Sequence, residues 1–231
     1  MSETETLNSM IPLWKRSKTD ITDEEYTEFY KHQFNDYTEP LKVIHSKVEG
    51  MTEYTSLLFI PKKAPFDLYS EKFEKGLQLY SKGVFIMDKN KELIPDYFRF
   101  VKGLVDSSDL SLNISREMLQ QDRQLKRIAS NIEKKIRTEL EKMQKNDRDT
   151  YNDFYKTYGI NLKYGIYEGF GTNKDKLQDL IMFKTTKNDE YITLKEYVDA
   201  MPEDQKAIYY ASGKTKESIL YIWLIIIKLH L

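Results

Sequence analysis

The sequence predicts a mixed α/β fold on three observations. Short β-patterned segments crowd residues 41–87, one apolar stripe of helical period runs from Leu125 to Met143, and two capping boxes open further helices. Taken in order, the first six residues read as a flexible lead-in, and Pro12 forbids a helix interior over residues 7–14. Thr22-Asp23-Glu24-Glu25 is a capping box, so a helix is expected over about 23–33 with Tyr26, Phe29 and Tyr30 at helical spacing. A polar turn over 35–40 ends it. Residues 41–48 and 54–60 are strand-like, with Gly50 suited to the hairpin between them and Pro61 stopping the second. Leu77, Leu79 and residues 84–87 predict two more strands, with Gly83 at a bulge or turn and a polar loop over 88–91. Pro95 suits the first turn of a helix carrying Tyr97, Phe98, Val101 and Leu104. Leu125, Ile128, Ile132, Ile136, Leu140 and Met143 form the stripe of a long helix, with Glu133–Arg137 and Glu141–Lys145 pairs on its wet side. Asn113 or Ser115 is the expected cap of that helix. Residues 145–163 are expected to be helical, followed by a turn at 169–171 and a helix near 174–183. Thr193-Leu194-Lys195-Glu196 opens a helix that Pro202 stops, and 207–211 reads as a last strand. The internal boundary falls near 145–150.

Composition removes several functions. Lys and Arg total 36 against 37 Asp and Glu, so no chain-wide field exists to hold nucleic acid or an anionic membrane. The 13% aromatic content with sign-balanced charge is not the disordered signature. Cysteine is absent, which rules out a disulfide, a zinc–thiolate site, an iron–sulfur cluster and a cysteine nucleophile within this chain. His32, His45 and His230 are the only histidines, so a multi-histidine metal centre is not expected. The acidic, polar start is no secretory signal, and the longest apolar run, 219–227, is far short of the roughly 20 residues that span a bilayer. A reducing, cytoplasmic location is the expectation.

Two apparent nucleotide motifs fail on inspection. Gly213-Lys214-Thr215 ends like a phosphate-binding loop, but the position of its first glycine holds Ile208; Gly169-Phe170-Gly171 lacks a third glycine and follows no strand. Both read as turns, and His45 reads as a packed or surface histidine. Residues 106–121 differ. They form a polar loop expected to run into the start of the long helix, with Arg116, Gln120 and Gln121 in its first turns, where free N–H groups favour anions. Arg116 adds a planar fork suited to phosphate oxygens. On the residues alone the plainer reading is preferred: Arg116 paired with a nearby aspartate and the glutamines solvated.

Asn113-Ile-Ser-Arg-Glu-Met-Leu-Gln-Gln121 closely resembles a hallmark of the ninety-kilodalton heat-shock chaperones, of the bacterial HtpG type in particular. Pro12-Leu-Trp-Lys-Arg16, Asp20-Ile-Thr-Asp-Glu-Glu-Tyr26, Leu58-Phe-Ile-Pro61, Ala64-Pro-Phe-Asp67, Leu93-Ile-Pro-Asp-Tyr97 and Met201-Pro-Glu-Asp-Gln205 resemble the same family's middle segment, so the likeness covers roughly 7–220. It reverses the preference on Arg116. The resemblance implies a larger αβα sandwich, a small helical connector and the start of a smaller αβα unit. On that scheme the divisions are a lead-in at 1–6, the larger unit with its long helix at 7–145, the connector at 146–183, the truncated smaller unit at 184–220, and a tail at 221–231 foreign to the family, of cloning or frame-shift origin. It also implies an ATP-driven dimeric chaperone, with ATP and Mg held mainly by an N-terminal domain and with a C-terminal dimerisation domain. No glycine-rich ATP lid is found in this sequence, and the chain alone is expected to be inactive toward ATP.

By the same resemblance Arg116 reaches the γ-phosphate of that ATP, Gln120 holds the loop and the phosphate contact, and Asn113 shapes the loop. Phe85 matches an aromatic position linked to docking of the nucleotide domain. Client proteins are implied to bind through exposed aromatic side chains, with Phe66 and Tyr69 in such a loop or serving as its anchors. The sequence departs from the family at Tyr37, where members often carry Trp at a position linked to client contact or switching, and at Ser111, where many carry Pro. The competing reading is a non-catalytic interaction scaffold that binds only clients and partner domains.

Overall fold

The computed structural model describes residues 11–110, 122–185 and 190–213, divided between two compact units that part at Leu180 and Ile181. In the first unit, α1 (Asp23–Phe34) is opened by the expected capping box: Thr22 accepts from the Glu25 amide, and the Glu25 carboxylate accepts from the Thr22 amide at 2.9 Å. It is followed by β1 (Pro40–Val48), β2 (Tyr54–Pro61), β3 (Leu77–Ser81), β4 (Val84–Asn90) and β5 (Lys102–Ser107), then by α2 (Arg123–Asn146), α3 (Arg148–Glu168) and the short α4 (Lys174–Leu177). The five strands form one sheet in the order β1-β2-β5-β3-β4. β1–β2 and β3–β4 are antiparallel hairpins, and β5 lies between them, antiparallel to β2 and parallel to β3.

Strand alternation sorts the side chains into two faces. Leu57 and Phe59 of β2, with Leu104 of β5, face a cluster built from Ile21, Tyr26 and Tyr30, and Leu13, Trp14 and Phe29 pack against it. One short helix and an irregular entering segment thus cover this front face. The register neighbours Leu58, Ile60 and Val105 point to the back and are fully buried. There Asn131 of α2 bonds the Tyr54 hydroxyl, and the Tyr158 hydroxyl of α3 donates to the Pro61 carbonyl at 2.9 Å. All six residues of the predicted apolar stripe are buried along α2. Each fully buried aliphatic of this kind contributes about 1.5–3 kcal/mol relative to exposure.

Several local expectations are corrected. No helix carries Val101 and Leu104; a single 3-10 turn, Asp96–Phe98, precedes strand β5. Leu104 and Val105 are apolar in succession because a central strand is buried on both faces, a pattern that imitates helical spacing over so few residues. Gly103 sits at φ 148°, where a Cβ would stand 2.4 Å from the Leu57 carbonyl oxygen, so the close β2–β5 approach needs glycine. Residues 88–90 extend β4 rather than forming a loop. The cap of α2 is Asp122, not Asn113 or Ser115, both of which lie outside the described residues. Glu133 pairs with Lys176 at 2.8 Å, while Arg137 pairs with Glu141. The segment after Gly171 gives only α4 and a 3-10 turn at Gln178–Leu180 before a strand begins.

The second unit is described over residues 181–185 and 190–213. β6 (Met182–Lys184) and β7 (Tyr191–Thr193) form an antiparallel pair, and Thr193 with Glu196 makes the second capping box, opening α5 (Leu194–Asp199). Residues 207–211 form no strand; Tyr209 and Tyr210 are exposed and no described strand pairs with them.

Candidate functional site

The segment singled out by sequence leaves the end of β5 and returns at the start of α2. Asn113, Arg116 and Gln120 lie outside the described residues, but both ends of the segment are fixed. At the first end Leu110 is buried and its carbonyl accepts from the Ser81 hydroxyl at 2.6 Å. Asp109 accepts from the Glu53 amide at 2.8 Å, and the Ser107 hydroxyl donates to the Glu53 carbonyl at 2.7 Å. At the second end one Asp122 carboxylate oxygen accepts from the amides of Gln124 and Leu125, at 2.7 and 2.9 Å. That carboxylate fills the positive end of α2 with a side chain of the protein itself. The long helix begins at Arg123, and the expectation for Arg116, Gln120 and Gln121 falls outside the described residues.

Beside the first end lies the turn from β3 to β4. Val84 and Phe85 emerge from it half exposed, and the Phe85 ring meets Tyr80 edge-on at 5.4 Å between centroids. Tyr80 in turn packs on Trp14 at 4.9 Å. Beneath these rings Asp106 of β5 is buried, and it bonds the Trp14 indole, the Lys15 ammonium and the Gly83 amide. Sequence reasoning missed Asp106, because a lone aspartate in an unrecognised strand carries no local signal.

The three residues assigned to client contact lie on two loops, Tyr37 on one and Phe66 with Tyr69 on the other. Tyr37 is 91% exposed after α1, beside Asp36, which Tyr30, Thr38 and Lys102 engage. Burial raises the Asp36 carboxyl, but those donors outweigh it and hold it below its ordinary value. Phe66 is fully exposed in the segment between β2 and β3. That segment is not loose: Leu68 is buried, successive turns link Pro65 to Leu68 and Asp67 to Ser70, and Arg99 lies over the Phe73 ring at 5.2 Å. Tyr69 is 59% exposed, and its hydroxyl donates to Asn161 of α3 at 2.9 Å. A further apolar set escaped the sequence reading. Ile160, Tyr164 and Tyr167 lie along one exposed side of α3 and continue to the exposed Phe170. Their spacing of 4, 3 and 3 was the available signal.

A cleft of about 660 Å³ is lined by Phe73, Lys75, Met87, Lys89, Asp96 and Arg99, with charges of both signs. Among the described residues no group of three His, Asp or Glu side chains gathers to hold a metal, and no helix is long and apolar enough to cross a membrane.

Comparison with known proteins is uniform. The profile of the Hsp90 protein family matches residues 1–224. Chaperone protein HtpG of Clostridium perfringens is 57% identical over 217 residues, covering 94% of this chain and 35% of that protein. The HtpG of Clostridium botulinum is 54% identical over the same coverage. The chain thus spans about a third of the length of these relatives. Among solved structures, the middle domain of a Plasmodium falciparum heat shock protein superposes with a TM-score of 0.76 at 33% identity, covering 90% of this chain and 81% of that one.

Proposed function

This chain belongs to the Hsp90 family, and from that premise we propose that it is the middle segment of an ATP-dependent chaperone that completes ATP hydrolysis from outside the nucleotide pocket and offers aromatic contacts to client proteins. ATP and Mg are held mainly by the N-terminal domain, in a cytoplasmic protein that dimerises through a C-terminal domain. The bound nucleotide supplies the phosphoryl group to be transferred to water. Arg116 places its guanidinium against the γ-phosphate and stabilises the charge that develops there, as an arginine finger does. Gln120 steadies the loop and that contact, Asn113 shapes the loop, and Phe85 meets the nucleotide domain.

The observation that carries this reading is the anchoring on either side of the 111–121 segment. Leu110 is tied to Ser81 of β3 and Asp122 to the first amides of α2, which supports a role for the residues that join them. The exposure of Tyr37, Phe66 and Tyr69 supports the client contact.

The test is Arg116→Ala in the full-length chaperone. Losing a charge contact made in the transition state lowers kcat by about 10²–10³-fold with little change in KM for ATP. An unchanged kcat would leave the scaffold reading, in which this segment only binds clients and neighbouring domains.

A further inference from the structure

We infer that Asp106 is the positioning residue of the docking face around Phe85, fixing in one geometry the entering segment, the β3–β4 turn and the strand that leads to residues 111–121. The inference rests on the proposed meeting of Phe85 with the nucleotide domain. Asp106 is 5% exposed. One carboxylate oxygen accepts from the Trp14 indole N–H at 3.0 Å and faces the Lys15 ammonium at 3.1 Å; the other accepts from the Gly83 amide at 3.0 Å. A carboxylate taken out of water is costly unless donors replace the solvent, and here three donors from two elements do so.

The geometry of the turn depends on that bond. Lys82 and Gly83 both have positive φ, 53° and 82°, the two-residue hairpin turn that favours glycine at its second position. The Gly83 amide immediately precedes Val84 and Phe85, so its bond to Asp106 sets where the two half-exposed side chains begin. A second connection runs above it, from Trp14 to Tyr80 to Phe85, ring against ring. Trp14 is therefore held twice, by its indole N–H from below and by its ring from the side. An apolar residue at 106 could fill the same space, but it could not bind Trp14, Lys15 and Gly83 at once, and the registry of the three would be lost.

The experiment is hydrogen exchange in the full-length chaperone, following the peptide that covers residues 82–87 with and without a non-hydrolysable ATP analogue. In the parent the analogue slows exchange there by about fivefold or more, because Phe85 becomes covered. In Asp106→Asn this slowing falls below about twofold, whereas Lys15→Met, which removes one contact of three, keeps most of it. A merely structural aspartate would raise exchange equally with and without the analogue and leave the ratio untouched. Undiminished slowing in Asp106→Asn overturns the inference while leaving Phe85 as a docking residue. Absence of slowing in the parent removes the docking of Phe85 and the inference with it. Should Asp106→Asn fail to fold, Trp14→Phe takes its place, since it keeps the ring and loses the donor. Partial loss of slowing there supports the inference, and full retention overturns it.

Discussion

The two faces of the five-stranded sheet are closed in different ways. The back face lies under two long helices: Leu58, Ile60 and Val105 are fully buried on it, Asn131 meets Tyr54, and Tyr158 meets Pro61. The front face has only α1 and the irregular segment around Trp14 to cover it. It compensates with directional contacts: Tyr26 to His45 at 2.7 Å, His45 to the Trp14 carbonyl at 3.0 Å, Tyr30 to Asp36, and three donors to Asp106. The back buries apolar area under long helices with two hydrogen bonds to its strands, whereas the front adds a larger set of hydrogen bonds to its own apolar cluster. A face closed by area yields when volume is removed; a face closed by hydrogen bonds yields when one donor or one proton changes.

The largest expected effect strikes both faces together. Gly103→Ala places a Cβ against the Leu57 carbonyl and the Leu58 Cα at a φ that side chains avoid, so the β2–β5 contact must open. A loss of about 4 kcal/mol or more, or failure to fold, is expected in urea titration. Next is Ile136→Ala on the back face, where an unrelieved cavity costs about 2–5 kcal/mol with no dependence on pH. On the front face Thr22→Ala removes the cap of α1 and costs about 1 kcal/mol by the same titration. The smallest effect separates the faces most sharply. Burial pushes the His45 imidazole below its ordinary value of 6.5, with Lys18 adding to the shift and the bond to Trp14 opposing it. The folded protein therefore binds fewer protons here than the unfolded one. The stability from neutral His45 is complete above about pH 6.5 and declines as pH falls below it. In His45→Gln the stability curve flattens over that window; in Ile136→Ala it drops but keeps its slope. A parallel drop in both would erase the distinction between the faces.

The same contrast explains what could be read from the sequence. The stripe from Leu125 to Met143, the first hairpin, the two strands of the second and both capping boxes are legible, because each depends on spacing between near neighbours. β5 was misread as helix, since its pairing partners lie some 25–50 residues away and its own pattern is too short to choose a period. Asp122 was overlooked as a cap for a related reason: several capping residues precede the helix, and tertiary packing decides which one stops it. At the site, the resemblance drew attention to Arg116, Gln120, Asn113 and Phe85, whereas the carboxylate beneath Phe85 could be found only once residues 14, 83 and 106 were seen together.

The place of β5 has a consequence for biosynthesis. Two hairpins made of neighbouring strands can close early, yet the sheet has a gap at its centre until the chain through residue 107 has been made. During that interval the inward edges of β2 and β3 are both open templates for foreign strands. The strand that comes last of the five in the chain is thus the keystone of the sheet, the piece that joins two separate hairpins into one.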